Sequence, residues 1–269
     1  IALCRKNPTR NNQTEILMIR KRNTYTFIMF VLGQYDFKNE SNLMYLFNNM
    51  TIEEKLDILS LDFPRLWYRV WLVNPEKIQL WDTMNIRSFN NSDLKEDYKK
   101  HFKCYQKHKL RFEKVFVNRD GGKLLKTLIN KSSSIDLLWE IPKGKKYSKY
   151  ETNLDAGIRE MAEETGIVNT EYRIFEDIKP IKVNFIDNFV NYTFIYYIAE
   201  PTSNKFYLKN PHINYNNIPQ ITETLNIKWL GLDEVKLMHF SRKYYKFIIK
   251  LFKVIRCKYK KQKKLINKL

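Results

Sequence analysis

The stretch EIPKGKKYSKYETNLDAGIREMAEETGI, residues 140–167, is the most informative part of the chain, because it predicts a helix with three clustered acids. Glu160, Glu163 and Glu164 lie three and four positions apart or side by side. Side chains three and four positions apart are neighbours on a helix, and each like-charged pair at such a spacing costs about 0.2–0.5 kcal/mol. A binding partner outside the helix must therefore stabilise the cluster.

The predicted helix separates its acidic side chains from its apolar ones. At about 100° per residue, one face carries Leu154, Ile158, Met161 and Thr165, and the opposite face carries the three glutamates. Gly166 is suited to the left-handed position that ends a helix. Three carboxylates around one point suit a hard cation such as Mg²⁺, which prefers oxygen ligands and often bridges to phosphates. An ordinary solvated acidic face is the alternative interpretation.

With its flanks, the stretch resembles the Nudix box. That family pattern is Gly, five residues, Glu, seven residues, Arg-Glu, an aliphatic residue, any residue, Glu-Glu, any residue, Gly and an aliphatic residue. Glu151 lies eight positions before Arg159, and the run from Arg159 to Ile167 matches in register. The chain departs from the pattern at Gly144, which six residues instead of five separate from Glu151. The helix itself is unaffected by this extra loop residue.

The resemblance implies a metal site for Mg²⁺ or Mn²⁺, with ligands from Glu160, Glu163, Glu164 and the carbonyl of Gly144. It also implies a structural ion pair between Glu151 and Arg159. We therefore expect an α/β protein with the Nudix α/β/α sandwich fold, and hydrolysis of a phosphoanhydride by metal-activated water.

The resemblance also implies catalytic residues, and the charges near them indicate substrate-binding ones. The candidates for catalysis are Glu163, Glu164 and, from a later loop, Glu223, which would act as ligand or general base. Glu200 is the second candidate for that last role. Ammonium and guanidinium groups near the site are expected to hold phosphates, and the candidates are Lys143, Lys145, Lys21 and Arg22.

The charge of the whole chain predicts a polyanionic partner. It carries 48 Lys and Arg against 29 Asp and Glu, a formal net charge of +19, which fits RNA, DNA, a highly phosphorylated small molecule or an acidic membrane surface. The three cysteines, at positions 4, 104 and 257, favour a reducing, cytosolic compartment over a disulfide framework. The longest apolar run, Phe27 to Leu32, is too short to cross a bilayer.

The order of elements predicts an interrupted domain. Two short strands in residues 1–38 are followed by helical periodicity over 39–132, and strands return in 133–269. Because neither set of strands alone would bury a core, we expect the helical segment to be inserted into one α/β domain.

Two segments are candidates for RNA binding. Residues 95–116 carry eight Lys or Arg interleaved with aromatic rings, a pattern that grips phosphates and stacks bases. An amphipathic helix with its rings turned inward explains the same pattern. The last 29 residues hold twelve Lys or Arg and no acid, with apolar residues at helical spacing. They predict a docked helix with a basic outer face.

The similarity extends to the helical segment and to LLWEIPKGK at residues 137–145, where the chain resembles the Nudix decapping enzymes of large DNA viruses. This resemblance implies cleavage of an mRNA 5′ cap in the host cytoplasm, with release of 7-methyl-GDP and host shutoff. The alternatives are a diphosphoinositol polyphosphate or nucleotide pyrophosphohydrolase, with inositol polyphosphates as partners, and a non-catalytic RNA-binding protein on a Nudix scaffold.

Overall fold

A computed structural model of the chain describes residues 1–72, 96–136, 139–187, 190–202, 211–238 and 240–266. Lys95 and Leu137 of the segments discussed above lie outside these ranges, as does the side chain of Tyr98. The elements in chain order are β1 (Ala2–Asn7), β2 (Gln13–Lys21), α1 (Tyr25–Val31), α2 (Glu40–Asn48), α3 (Ile52–Ser60), α4 (Phe63–Trp71), α5 (Glu96–Phe112), α6 (Lys123–Lys131), β3 (Trp139–Glu140), α7 (Asn153–Thr165), β4 (Tyr172–Ile174), β5 (Ile181–Asp187), β6 (Val190–Tyr196), β7 (Ile198–Pro201), α8 (Ile218–Glu223), β8 (Thr224–Gly231), α9 (Leu232–Lys236) and α10 (Arg242–Ile266).

The chain folds into two compact units. One, the sheet unit, comprises Ile1–Arg22 and Leu138–Leu269, and the other, the helical unit, comprises Asn23–Leu137. The helical unit begins earlier and ends later in the sequence than the predicted segment 39–132. It begins earlier because α1 buries Phe27 and Phe30 in the core of this unit. A mixed sheet together with many helices confirms the predicted α/β class.

The sheet unit contains a mixed sheet in the order β3-β2-β1-β7-β4, with β8 also paired to β2. Strand β2 pairs antiparallel with β1, β3 and β8, whereas β1 and β7 run parallel. The register of β2 and β8 shifts between Arg20 and Lys21. Strands β5 and β6 form a separate antiparallel pair. The predicted opening hairpin is confirmed as β1 and β2.

Apolar side chains lie on both faces of the mixed sheet, and a helix packs against each face. Successive side chains of a strand point to opposite faces. Cys4 and Met18 pack in one cluster with Phe247 and Leu251 of α10. Leu3 and Ile19, each one residue along from these, pack in a second cluster that includes Met161 of α7. The sheet is therefore covered by α10 on one face and by α7 on the other.

The helical unit has its own core, in which aromatic rings dominate. Phe30 packs edge-on against Phe47 and Phe112, with ring centroids 5.3 and 6.1 Å apart. Trp67 and Tyr105 meet edge-on at 5.5 Å. Such pairs add to the stabilisation that burial of the rings provides. This core is separate from the two clusters of the sheet unit.

The basic aromatic segment forms α5 and the π-helical turn that follows it, Glu113–Asn118. Its rings Phe102, Tyr105, Phe112 and Phe116 are buried in the helical core. The interpretation as an amphipathic helix is therefore confirmed, and the interpretation of these four rings as base-stacking groups is wrong. The rings are buried because removing their apolar surface from water stabilises the fold.

The three cysteines are free thiols, with Cys4 buried and Cys257 exposed. Within the described residues, none of the helices combines the length and apolar character that a membrane span requires.

We expect Glu54 to anchor the helical unit. Its carboxylate is fully buried and accepts hydrogen bonds from the backbone N–H groups of Thr24 (2.6 Å) and Thr51 (2.9 Å), completing a capping box at the start of α3. Glu54→Ala would leave these donors without an acceptor and should lower the free energy of unfolding by about 2–4 kcal/mol. Urea denaturation measures the loss. The control is Glu53→Ala, an exposed neighbour on the same turn, and equal losses in both variants would contradict the expectation.

Candidate active site

Helix α7 carries the three glutamates of the opening stretch. Its first turn is capped by the Thr152 hydroxyl, which accepts from the Asp155 backbone N–H at 3.1 Å. It ends at Gly166, whose φ of 74° is the left-handed conformation expected there. Glu160 and Glu164 are buried, so the acidic face of the helix is not the open, solvated surface of the alternative interpretation.

The strands bring further charged residues to the same side of the sheet. Ile19 of β2 faces α7, and Lys21 follows it by two residues on the same strand. Ile19 is paired with Glu140 of β3, and Lys21 with Thr224 of β8. Paired residues of neighbouring strands share a face. Glu140 and Lys21 therefore both point toward α7.

Lys21 lies at the centre of the acidic cluster. Its Nζ donates to Glu164 Oε1 at 2.5 Å and to Glu223 Oε2 at 3.1 Å, and it lies 3.5 Å from Glu140 Oε1. The sequence analysis named Lys21 as a candidate for phosphate binding. In the structure its ammonium contacts three carboxylates from three different elements.

Arg159 fixes the other half of the cluster. Its Nε donates to Glu151 Oε1 at 2.9 Å, and its Nη1 donates to Glu160 Oε1 at 2.7 Å and Glu163 Oε2 at 3.0 Å. Its Nη2 donates to the carbonyl of Lys145 at 2.7 Å. One guanidinium thus ties α7 to the loop 144–151, and the structure places Glu151 and Arg159 together.

Burial shapes the protonation of these groups. It raises the pKa of the Glu164 carboxyl to about 7, and the Lys21 ammonium offsets only part of the shift. Burial alone would lower the pKa of Lys21, but Glu164, Glu140 and Glu223 raise it. For Glu140, burial is outweighed by Lys143 and Lys21, and the pKa is lowered. Added positive charge beside Glu164 would favour its ionised form.

The two lysines that flank Gly144 are held differently. Lys143 pairs with Glu140 at 2.6 Å, and its backbone N–H donates to Glu164 Oε2 at 2.9 Å. The Nζ of Lys145 lies 5.5 Å from the centre of the Tyr192 ring. Both belong to the loop that borders the acidic cluster, as the sequence analysis expected.

Gly144 packs directly against the Glu160 carboxyl. A methyl group on its Cα would overlap that carboxyl unless the Glu160 side chain moved. The extra loop residue between Gly144 and Glu151 does not separate this backbone from α7. The family resemblance implies a ligand at Gly144, and the close approach keeps its backbone within reach of the Glu160 oxygens.

Two predicted residues have other partners. Arg22 Nη1 donates to the carbonyl of Ile221 at 3.2 Å, which ties β2 to α8. Glu200, the second candidate for a general base, accepts from Arg173 at 2.5 Å across the β4–β7 pair. Glu223 is therefore the candidate that the fold brings to the cluster.

The sequence analysis did not single out Glu140, although it is the first residue of the stretch quoted there. Its side chain is only 14% exposed and contacts both Lys21 and Lys143. An acid inside the apolar strand LLWEIP was the available signal, because a buried carboxylate requires a charged partner.

The donor set fits a hard divalent cation. Glu140, Glu160, Glu163, Glu164 and Glu223 supply only oxygen, which Mg²⁺ and Mn²⁺ prefer. Glu140 Oε1 is a buried oxygen without a hydrogen bond. Over the described ranges, however, no three Asp, Glu, His or Cys side chains converge closely enough to hold a metal ion. Lys21 and Arg159 engage the carboxylate oxygens, so metal binding requires rearrangement of these ion pairs.

Removal of Lys21 should reveal how strongly the buried carboxylate depends on it. We expect Lys21→Met to lower the free energy of unfolding by about 3 kcal/mol, since a buried charge loses its partner. The pKa of Glu164 is already raised in the folded state, so the folded protein holds this proton more tightly than the unfolded chain. The tighter binding of this proton by the folded protein adds to the free energy of unfolding, and this contribution is lost as pH rises. The variant should therefore be least stable above neutral pH.

Urea denaturation at about pH 6 and about pH 9 measures this effect. Lys21→Met combined with Glu164→Gln removes both charges and should recover part of the lost stability. Equal losses at the two pH values, or strictly additive losses in the double variant, would be inconsistent with the assignment.

Comparison with known proteins places the chain in a family. It is 34% identical over 241 residues to the mRNA-decapping protein g5R of an African swine fever virus isolate from a Namibian warthog, covering 87% of this chain and 85% of that protein. A putative mRNA-decapping protein of Acanthamoeba polyphaga mimivirus is 26% identical over 250 residues, 86% of this chain and 63% of that protein. No protein-family model matches the chain. At this identity and coverage, the chain belongs to the family of viral mRNA-decapping proteins that includes African swine fever virus g5R.

Proposed function

We propose that this protein is a Nudix hydrolase that removes the 5′ cap from mRNA, releasing 7-methyl-GDP and 5′-monophosphate RNA. The observation that carries the proposal is the partly buried cluster of five glutamates around α7, in a chain that belongs to the viral decapping family. We further propose that it acts in the host cytoplasm, where cap removal would contribute to host shutoff.

We propose that Mg²⁺ or Mn²⁺ is held by Glu160, Glu163, Glu164 and the Gly144 carbonyl. When bound, such an ion neutralises bridging phosphates and lowers the pKa of an attacking water. The residues support this choice by their oxygen donors, by the burial of Glu160 and Glu164, and by the close fit of Gly144.

Glu223 is the proposed general base. Its side chain is 55% exposed, whereas that of Glu164 is 1% exposed. A base must reach the water whose proton it accepts, and among these two carboxylates Glu223 has that access. Glu163, with a side chain 32% exposed, is the alternative base.

Four basic residues are proposed to hold and orient the phosphates. Lys143 and Lys145 border the cluster, and Lys21 lies within it. Ammonium groups bind phosphate oxygens as point charges. Release of Lys21 from Glu164 would supply such a charge at the reacting phosphates. Arg22, which is bonded to Ile221, would contribute from the end of β2.

Helix α10 is proposed as a track for the RNA backbone. Its apolar face is buried in the sheet unit, and its exposed basic residues recur every three or four positions: Lys246, Lys250, Lys253, Arg256 and Lys260. At 1.5 Å per residue the row from 246 to 260 spans about 21 Å. A row of this length can follow several phosphates of a single strand, which a free nucleotide would not need.

The lysines around the cluster also support a second candidate, hydrolysis of diphosphoinositol polyphosphates or nucleotides. Lys21, Lys143 and Lys145 would hold a densely phosphorylated small molecule equally well. Release of 7-methyl-GDP from cap-labelled RNA, compared with release of phosphate from a diphosphoinositol polyphosphate, distinguishes the two. A cap assay with and without Mn²⁺ tests the main proposal directly, and absence of cleavage in both conditions would overturn it.

The double change Glu163→Gln and Glu164→Gln should reduce cap hydrolysis at least about 10²–10⁴-fold, because it removes two carboxylates proposed to serve chemistry. RNA retention, measured by filter binding, should remain nearly intact. Glu176→Gln, which changes an exposed glutamate outside the cluster, is the control and should leave both measurements unchanged. Loss of RNA binding with survival of hydrolysis would show that the assigned roles are wrong.

Replacing Lys246, Lys250 and Lys253 with Gln should weaken binding of single-stranded RNA and make it less sensitive to salt. Each lost phosphate contact lowers the slope of log affinity against log salt by roughly 0.7, so three contacts correspond to about 2. The matched control replaces the same three residues with Arg, which keeps the charge and should keep the slope. An unchanged slope in the Gln variant would remove α10 from the proposed RNA path.

A further inference from the structure

Tyr147 is an exposed aromatic ring that the structure holds in a fixed position. The residue is 75% exposed, although tyrosine is ordinarily intermediate in burial. Its hydroxyl donates to Glu163 Oε1 at 3.3 Å, and its backbone N–H donates to Glu151 Oε2 at 2.7 Å. The ring therefore lies on the rim of the acidic cluster.

One face of this ring is covered and the other is open. The guanidinium carbon of Arg159 lies 3.7 Å from the ring centre. Arg159 is itself held by Glu151 and by the carbonyl of Lys145, neither of which is a proposed metal ligand. A ring that is fixed before a ligand arrives loses little conformational freedom when the ligand stacks on it.

The charges next to the ring leave its open face able to bind a cation. Arg159 contributes one positive charge, and Glu151, which pairs with it and is not a proposed metal ligand, contributes one negative charge. The Glu151 carboxylate thus balances the charge of the guanidinium. An aromatic face attracts a cation placed over it, and a 7-methylated guanine is both planar and cationic.

We propose that Tyr147 is the stacking platform for the methylated guanine base of the cap, with the base on the ring face opposite Arg159. The inference rests on the proposed decapping function and adds the residue that recognises the base. The hydrogen bond to Glu163 places the ring beside a carboxylate of the cluster, and the cap base is joined through its ribose to the phosphates expected there. Tyr147 lies in the loop that is one residue longer than the Nudix pattern.

Two other rings of the sheet unit, Tyr150 and Tyr192, are less suited to this role. Tyr150 is 82% exposed, and the ammonium of Lys149 lies 5.0 Å from its ring centre. Tyr192 stacks on Phe194 with centroids 6.4 Å apart and has the ammonium of Lys145 over it. Tyr147 combines a free face with direct contact to the cluster.

The test compares Tyr147→Leu and Tyr147→Phe with the wild type on methylated and unmethylated capped RNA. Loss of one stacked base should raise KM for methylated capped RNA about tenfold in Tyr147→Leu, with kcat changed less than about twofold. Its preference for the methylated cap should fall, and Tyr147→Phe should retain wild-type KM. Tyr150→Leu is the matched control in the same loop and should behave as the wild type.

The inference is overturned if Tyr147→Leu has wild-type kinetics, or if kcat falls equally on both substrates together with a weaker Mn²⁺ affinity by calorimetry. The second result would make Tyr147 only a support for Arg159. Loss of methyl preference in Tyr192→Leu instead would also overturn it.

Calorimetric binding of 7-methyl-GDP separates this inference from the proposed function. Wild-type protein that binds 7-methyl-GDP through Tyr147 but does not cleave capped RNA would contradict decapping and support the stacking platform. Wild-type protein that cleaves capped RNA with no dependence on Tyr147 would support decapping and overturn the platform.

Discussion

The buried carboxylate of Glu164 constrains the whole site. A charged group with 1% of its side chain exposed must have a compensating charge close by, and Lys21 supplies it from the end of β2. Because the same ammonium also contacts Glu223 and Glu140, one electrostatic requirement fixes α7, α8 and β3 around a single point. The packing of these three elements therefore depends on the ion pairs of the acidic cluster.

The sequence predicted the parts of this arrangement that depend on local patterns. The helix from 153 to 165, its glycine cap and the opening hairpin follow from periodicity and turn chemistry, and the structure contains all three. The segment 172–187 forms two strands, β4 and β5, with a turn between them. Alternation alone does not show where a strand breaks.

Other features depend on contacts between distant residues, which a single sequence does not reveal. The position of Lys21 inside the cluster requires the pairing of β2 with β3 and β8. Helix α1 was missed because its apolar run is too short to show a helical period. Glu140 stands in a two-residue strand, and only its partners show that it belongs to the site.

Strand β2 contributes to both apolar clusters and to the acidic one, through Met18, Ile19 and Lys21. A slip of one position against β8 would exchange the two sides of this strand. Apolar side chains that belong under α10 would then face α7, and the lysine would point away from its carboxylates. Mispairing of this strand is thus destabilised in two ways, by lost apolar burial and by an uncompensated buried charge. The charged residues of the proposed active site therefore also favour the correct register of the sheet.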